Sequence, residues 1–342
     1  MNLTSICRLL LVSVTVLVAP YGLAQAPAEL NGSAAGLPAS AAPRGISEWL
    51  MRMHDASRSL AYVGTLVVSS GGNMASSRIW HVCDGDQQIE RVETITGVPR
   101  STFRHNDQVI TFSPQSKLAV MENRESLGMF PGLLKSPDTA IDQFYVARQT
   151  GTERVAGFES DVLQIEPRDK LRYAYRVWSE KRTGLVIKLQ TLDGQGQVLE
   201  QVVFSELQLD APVSMSKLSK MMANTEGYKV ESPEMVKTTA VAQGWRLRAP
   251  VPGFKSMSCY LRPAGDDSTL QWIFSDGLAS VSLFIEVYER RRHGPEGVMA
   301  MGATHTLAQR FPNKNGQWWL TAVGEVPAHT LQAFAQRLER KK

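Results

Sequence analysis

Cysteine is scarce: three residues in 342, at positions 7, 83 and 259. So few exclude a disulfide-stapled scaffold, and no Cys-x-x-Cys pair is present for redox chemistry or a zinc ribbon. Histidine is nearly as sparse. The six (His54, His81, His105, His293, His305 and His329) form none of the short-spaced pairs that hold zinc. His54 and Asp55 are neighbours on a helical stretch, so they point to different faces and form no dyad. The chain also lacks Gly-x-Ser-x-Gly, His-Glu-x-x-His and Gly-x-x-x-x-Gly-Lys-Ser/Thr, the spacings that carry acyl transfer, metalloproteolysis and nucleotide binding. No catalytic, metal or cofactor-binding residues are assigned. The expectation is a binding protein, not an enzyme.

Long apolar runs are missing too, apart from Leu9–Leu23, which falls short of the ~20 residues of a membrane span. One positive charge before it and small residues at Gly22, Ala24 and Ala26 mark residues 1–24 as a secretory signal peptide, with cleavage after Ala24 or Ala26. The mature chain is expected to be exported and soluble. Cys7 precedes the apolar run and cannot serve as a lipid-attachment cysteine. Cys83 and Cys259 would then meet an oxidising compartment, either as a bridge or as free thiols. Residues 25–44, rich in Ala, Pro, Gly and Ser without periodicity, read as a disordered leader.

What is there begins with a helix. Ile46, Trp49, Leu50, Met53 and Leu60 recur at three-and-four spacing, with Ser47 as the expected cap. The period then shortens to two, and runs such as Tyr62–Val68, Gln108–Phe112, Tyr173–Trp178 and Val198–Leu207 read as an antiparallel meander. A helix near Thr139–Arg148, with Ile141, Phe144 and Tyr145 on one face, is the sole interruption. Asn123–Lys135 follows neither period yet carries Leu127, Met129, Phe130, Leu133 and Leu134 among Gly and Pro. Such an apolar loop either plugs its own domain or offers a hydrophobic ligand or partner site.

Residues 45–210 thus form one domain, 211–233 a linker rich in Ser, Lys and Met that has no sustained stripe but has room for a short helix, and 234–342 a second, smaller domain. The fold class is α+β, mainly antiparallel β. The second domain should hold strands near Trp245–Leu247, Met257–Arg262 and Trp318–Val323, and a closing helix begun by Pro327 with Leu331, Phe334, Ala335 and Leu338 on one face. Its centre is the hairpin Thr269–Tyr288, whose Asp276-Gly277 suits a tight type I′ turn. Ala279, Val281, Leu283, Ile285 and Val287 share one face; Phe284 interrupts the polar face, either covered by its own domain or available for docking.

Charge divides the halves. Residues 45–210 hold 18 Lys and Arg against 21 Asp and Glu, net −3, while 211–342 hold 17 against 11, net +6. Arg290-Arg291-Arg292, directly after the hairpin, is either a solvated loop or a site for carboxylates or phosphorylated lipid, both suited to bidentate guanidinium contacts. Nucleic acid is not an expected partner of an exported chain.

The words Phe274-Ser275-Asp276-Gly277-Leu278-Ala279-Ser280-Val281-Ser282-Leu283-Phe284-Ile285-Glu286 resemble a signature of the RseB/MucB family, as do Ala61–Val67, Ser77–His81, Glu90–Glu93, Gly97–Arg100, Thr183–Leu185 and Gln201–Phe204. The departure is Leu66-Val67-Val68, where the family pattern has an aromatic-bearing strand. The resemblance implies a periplasmic regulator of the envelope-stress sigma factor. Its N-terminal domain would be an incomplete barrel around a helix, shaped like the lipoprotein carriers LolA and LppX. It implies binding to the periplasmic domain of a transmembrane anti-sigma factor of the RseA/MucA kind, shielding of that domain from regulated proteolysis, and release on sensing lipopolysaccharide, lipid A or lipoprotein acyl chains. Homo-oligomers are compatible with it. On this reading Trp80, Phe103, Phe112, Leu127, Met129, Phe130, Leu133 and Leu134 contact lipid, and Phe284, Arg290, Arg291 and Arg292 contact the partner. The rival is a periplasmic lipid or lipoprotein carrier, which needs the first domain alone.

Overall fold

The structure, a computed structural model, describes residues 44–123, 140–264, 267–313 and 316–340. It opens with helix α1 (Ile46–Ser59), which buries Ile46, Trp49, Leu50 and Met53, as the stripe requires. The cap differs from expectation. Ser47 lies inside the helix, and the entry residue is Gly45, whose N–H donates to the Glu48 carboxylate at 3.1 Å. An acidic residue in the first turn satisfies an orphan donor and complements the dipole, so no hydroxyl cap is needed.

Strands β1 (Tyr62–Ser70), β2 (Asn73–Asp84), β3 (Gln87–Thr94), β4 (Ser101–His105), β5 (Gln108–Ser113) and β6 (Leu118–Asn123) form consecutive antiparallel pairs. A second run comprises β7 (Tyr145–Val155), β8 (Phe158–Pro167), β9 (Ala174–Glu180), β10 (Val186–Leu192) and β11 (Val198–Leu209). Pairing of β1 with β11 joins the two runs into one sheet. The expected helix near Thr139–Arg148 shrinks to a single 3-10 turn, Ile141–Gln143. Tyr145 already belongs to β7, because its neighbours pair with β8 and leave no backbone groups for a helix.

After β11 comes helix α2 (Met215–Ala223), which Ser214 caps by accepting from the Lys217 N–H at 3.2 Å. Leu218 and Met222, one helical turn apart, are buried against β2–β6. β12 (Lys229–Glu231) then pairs in parallel with β6, making twelve strands in the sheet.

A second sheet follows, in the order β13-β15-β16-β17-β20-β19-β18. Its strands are β13 (Val236–Lys237), β15 (Lys255–Ala264), β16 (Asp267–Ser275), β17 (Ser280–Val287), β18 (Gly297–Met301), β19 (Thr304–Asn313) and β20 (Gly316–Gly324). The hairpin β18–β19 has no counterpart in the sequence reading, because Val298–Met301 offers no apolar–polar alternation. Helix α3 (Ala328–Arg337), with Pro327 at its N-cap, buries Leu331, Phe334 and Ala335 against Leu270, Trp272, Phe274, Val281, Leu283, Ile285 and Leu320. Each fully buried side chain of this size contributes about 1.5–3 kcal/mol. A small ladder of β14 (Trp245–Leu247) with β21 (Leu338–Arg340) fastens the end of α3. Among the described residues no helix is long and apolar enough to cross a membrane.

Candidate interaction site

The hairpin at the centre of the second sheet forms, with Ser275 opposite Ser280. Its turn is not the tight one the dipeptide suggests. Asp276 to Ala279 make a four-residue connection in which Gly277 alone takes positive φ, at 104°, whereas a type I′ turn needs it at both central residues. Asp276 instead folds its carboxylate back. Oδ1 accepts the N–H groups of Leu278 and Ala279 at 2.9 and 2.7 Å.

That leaves Oδ2 pointing at the first sheet. It accepts from Arg172 Nε at 2.7 Å and from the Tyr145 hydroxyl at 2.9 Å, and the side chains of both Arg172 and Asp276 are 0% exposed. Arg172 also donates from Nη1 to Asp169 Oδ2 at 2.5 Å and from Nη2 to the Pro252 carbonyl at 2.6 Å. Its guanidinium lies 4.6 Å from the Phe144 ring centroid and 4.9 Å from that of Phe254. Gly253, at φ 80°, passes so close that a Cβ there would collide with Nη2. Leu278, next along the turn, is buried in the cluster built by α1, Ile141 and Leu163. Burial pushes the Tyr145 hydroxyl pKa well up, and the Asp276 carboxylate adds to it. This is a closed ionic latch. Near it in sequence Tyr173 Oη lies 3.1 Å from His305 Nδ1 and Thr330 Oγ1 donates to the Leu171 carbonyl at 2.9 Å; toward the other end of the first sheet Arg262 of β15 reaches Glu122 of β6 at 3.1 Å.

The basic loop is open by contrast. Arg290, Arg291 and Arg292 are exposed. Arg292 is tied to Glu286, which also holds His293 Nε2 at 3.1 Å; the His293 ring stacks on Trp319 at 4.9 Å and on Tyr288 at 5.6 Å. Of these three arginines, Arg292 has an ion-pair partner, while Arg290 and Arg291 have none among the described residues. Phe284 sits on the face opposite α3, between Gln271 and Thr321 on neighbouring strands, and is half-buried.

Three of the residues expected to contact lipid, Trp80, Phe103 and Phe112, share one apolar cluster of the first sheet. Phe103 and Phe112 are 3% and 5% exposed and pack edge to face at 5.8 Å, in the cluster that α2 covers. Trp80 is half-buried on that same sheet face, with the Arg91 guanidinium 4.8 Å over its ring. Leu127, Met129, Phe130, Leu133 and Leu134 lie outside the described residues. The opposite face of β1–β4 carries a polar row instead. Tyr62 stacks on His81 at 4.9 Å, His81 Nδ1 is 2.8 Å from the Leu60 carbonyl, and burial raises the pKa of Glu90, paired across from His81. Cys83 and Cys259 are free thiols. Among the described residues no group of three or more His, Cys, Asp or Glu is placed to hold a metal.

Sequence reasoning missed Arg172, Tyr145 and the carboxylate role of Asp276. No local signal distinguished Arg172: it stands between Leu171 and Tyr173, but Arg168, Asp169 and Lys170 precede it, and Arg176, likewise set between apolar residues, is exposed.

Comparison with known proteins covers both sheets. The sequence profile of the MucB/RseB N-terminal domain matches residues 45–222, and that of the MucB/RseB C-terminal domain matches residues 239–339. The chain belongs to the MucB/RseB family. The sigma factor AlgU regulatory protein MucB of Pseudomonas aeruginosa is 28% identical over 309 residues, spanning 90% of this chain and 94% of MucB. The sigma-E factor regulatory protein RseB of Escherichia coli K12 is 24% identical over 315 residues, spanning 90% of this chain and 93% of RseB. Among solved structures, the crystal structure of MucB in complex with MucA(peri) superposes with a TM-score of 0.68 at 25% identity, covering 86% of this chain and 99% of that one.

Proposed function

We propose that this MucB/RseB family member is a periplasmic negative regulator of an envelope-stress sigma factor pathway. It binds the periplasmic domain of a transmembrane anti-sigma factor and shields that segment from regulated proteolysis. Residues 45–210 act as an incomplete barrel about α1, residues 234–342 as the basic lobe, and 211–233 as the connection between them. The carrying observation is the similarity, along almost the whole of both chains, to MucB crystallised with MucA(peri). Arg290 and Arg291, exposed and uncompensated, give the basic lobe a surface for acidic groups of the partner. Phe284 offers a half-buried aromatic on the sheet face away from α3.

Lipid sensing completes the proposal. Lipopolysaccharide or acyl chains favour a second arrangement of the chain, in which Phe103, Phe112 and Trp80 are uncovered and the Asn123–Lys135 loop joins them. Linkage makes the coupling reciprocal: the anti-sigma segment must weaken lipid binding by the same factor, about 1–3 kcal/mol. The buried latch sets the resistance to that rearrangement. The test mixes the purified full chain with the anti-sigma periplasmic fragment and titrates lipid A. Progressive loss of the complex is expected; a complex that survives the titration removes the sensing step, and absence of any complex removes the regulator.

A further inference from the structure

Sheet edges expose unpaired backbone N–H and C=O groups, and proteins guard them with charge, proline or brevity. Three strands that end the two large sheets here are guarded. β7 presents Arg148, Glu153 and Arg154; β12 is three residues long and carries the Lys229–Glu231 ion pair at 2.7 Å; β13 is two residues long and includes Lys237. β18 is the exception. Gly297-Val298-Met299-Ala300-Met301 is exposed throughout, contains no charge or proline, and has no strand on its outer side among the described residues. Met299 and Met301 are 68% and 73% exposed. The N-terminal sheet extends the patch: Gly302, at the tip of the β18–β19 hairpin, rests against Ser70, and Met74 just beyond it is 73% exposed. Methionine surfaces adapt to varied apolar side chains.

The loop leading into β18 supplies the second half of the surface. Arg292 and His293 anchor it on Glu286 of β17, and Glu296 pairs with Arg310 at 2.6 Å, which leaves the cations of Arg290 and Arg291 facing outward. We propose that the outer edge of β18, with Arg290 and Arg291, docks an extended, uncharged segment of the anti-sigma factor's periplasmic region that continues into acidic residues. This rests on the regulator reading above. Main-chain bonds to the edge give affinity, alternate side chains of the added strand meet Met299 and Met301, and the guanidiniums select the acidic continuation. Every neighbouring pair in this sheet is antiparallel, so an added strand runs antiparallel to β18 and ends beside Gly297. Four strand spacings separate it from β17, ~19 Å, a distance about five or six extended residues cross. The acidic group belongs that far C-terminal to the paired segment.

The test is amide hydrogen exchange on the full chain, with and without the anti-sigma periplasmic fragment, read at peptide resolution over 297–301. The inference expects exchange there to slow by about tenfold or more on binding. It also expects Met299→Lys, a solvent-facing change checked by an unaltered unfolding midpoint, to weaken the fragment's affinity by about tenfold. A complex that forms while 297–301 exchanges as before overturns the edge and leaves the regulator reading intact. Failure of the wild-type chain to bind the fragment overturns both. The exchange measurement uses the unmodified chain, so it decides the matter even if the lysine variant misfolds.

Discussion

Two arginine sites in this molecule invert what their sequences advertise. Arg290-Arg291-Arg292 stands out on any reading of charge, yet one of the three is absorbed by Glu286 and the other two lie in water. Arg172, flanked by Leu171 and Tyr173, draws no attention and is bound by Asp276, Asp169 and the Pro252 carbonyl inside the protein. The difference is desolvation. In water a cation contributes little to stability and is free to meet a partner, whereas a buried one is costly unless every donor is matched. The exposed pair is therefore the one available for the proposed recognition, and the buried one ties the arrangement of the chain.

The contrast can be broken first at the latch. Asp276→Ala leaves Arg172 buried with a lost counter-charge and strips the turn of the oxygen that accepts its two amide N–H groups, so a loss of about 3–5 kcal/mol is expected in denaturant unfolding. Arg172→Met with Asp276→Leu, which removes both charges together, should recover most of that loss. Equal destabilisation by the single and double changes would show that packing at the turn, not ion pairing, holds it. Next in size is α2. Leu218→Ala should cost about 2–5 kcal/mol and loosen the cover over Phe103 and Phe112, measurable as increased binding of an apolar fluorescent probe. If stability falls but probe binding does not rise, α2 does not govern access to those aromatics. The smallest effect on stability is expected from Arg290→Ala with Arg291→Ala, within about 0.5 kcal/mol. The same pair should weaken fragment binding and flatten its dependence on salt, as released charge contacts do. A stability loss as large as that at the latch would erase the distinction between the two sites.

Legibility followed the range of the interactions. The stripe Ile46, Trp49, Leu50 and Met53 announces α1, and the period-two face Ala279, Val281, Leu283 and Ile285 announces β17, since each pattern lies within a few residues of chain. Asp276-Gly277 correctly marked a turn but not its type, because the choice between turns was made by Arg172 and Tyr145, more than a hundred residues upstream. The segment after β11 read as a linker without a sustained stripe. Two residues, Leu218 and Met222, were enough to seat a helix once an apolar sheet face lay beneath them. β18 escaped notice for the reason that makes it a candidate interface: an exposed strand with no polar face has no alternation to read.

By itself the sequence determined the alternation that makes nearly every element a strand, the helical stripes of α1 and α3, the absence of catalytic and metal-binding spacings, and membership of the MucB/RseB family. Only the tertiary structure decided which charges are spent and which stay available, which aromatics are covered, and which sheet edge is left bare. Periodicity is a local property fixed by backbone geometry. Burial and pairing depend on what distant segments bring to the same place, and no window of sequence contains both sides of such a contact.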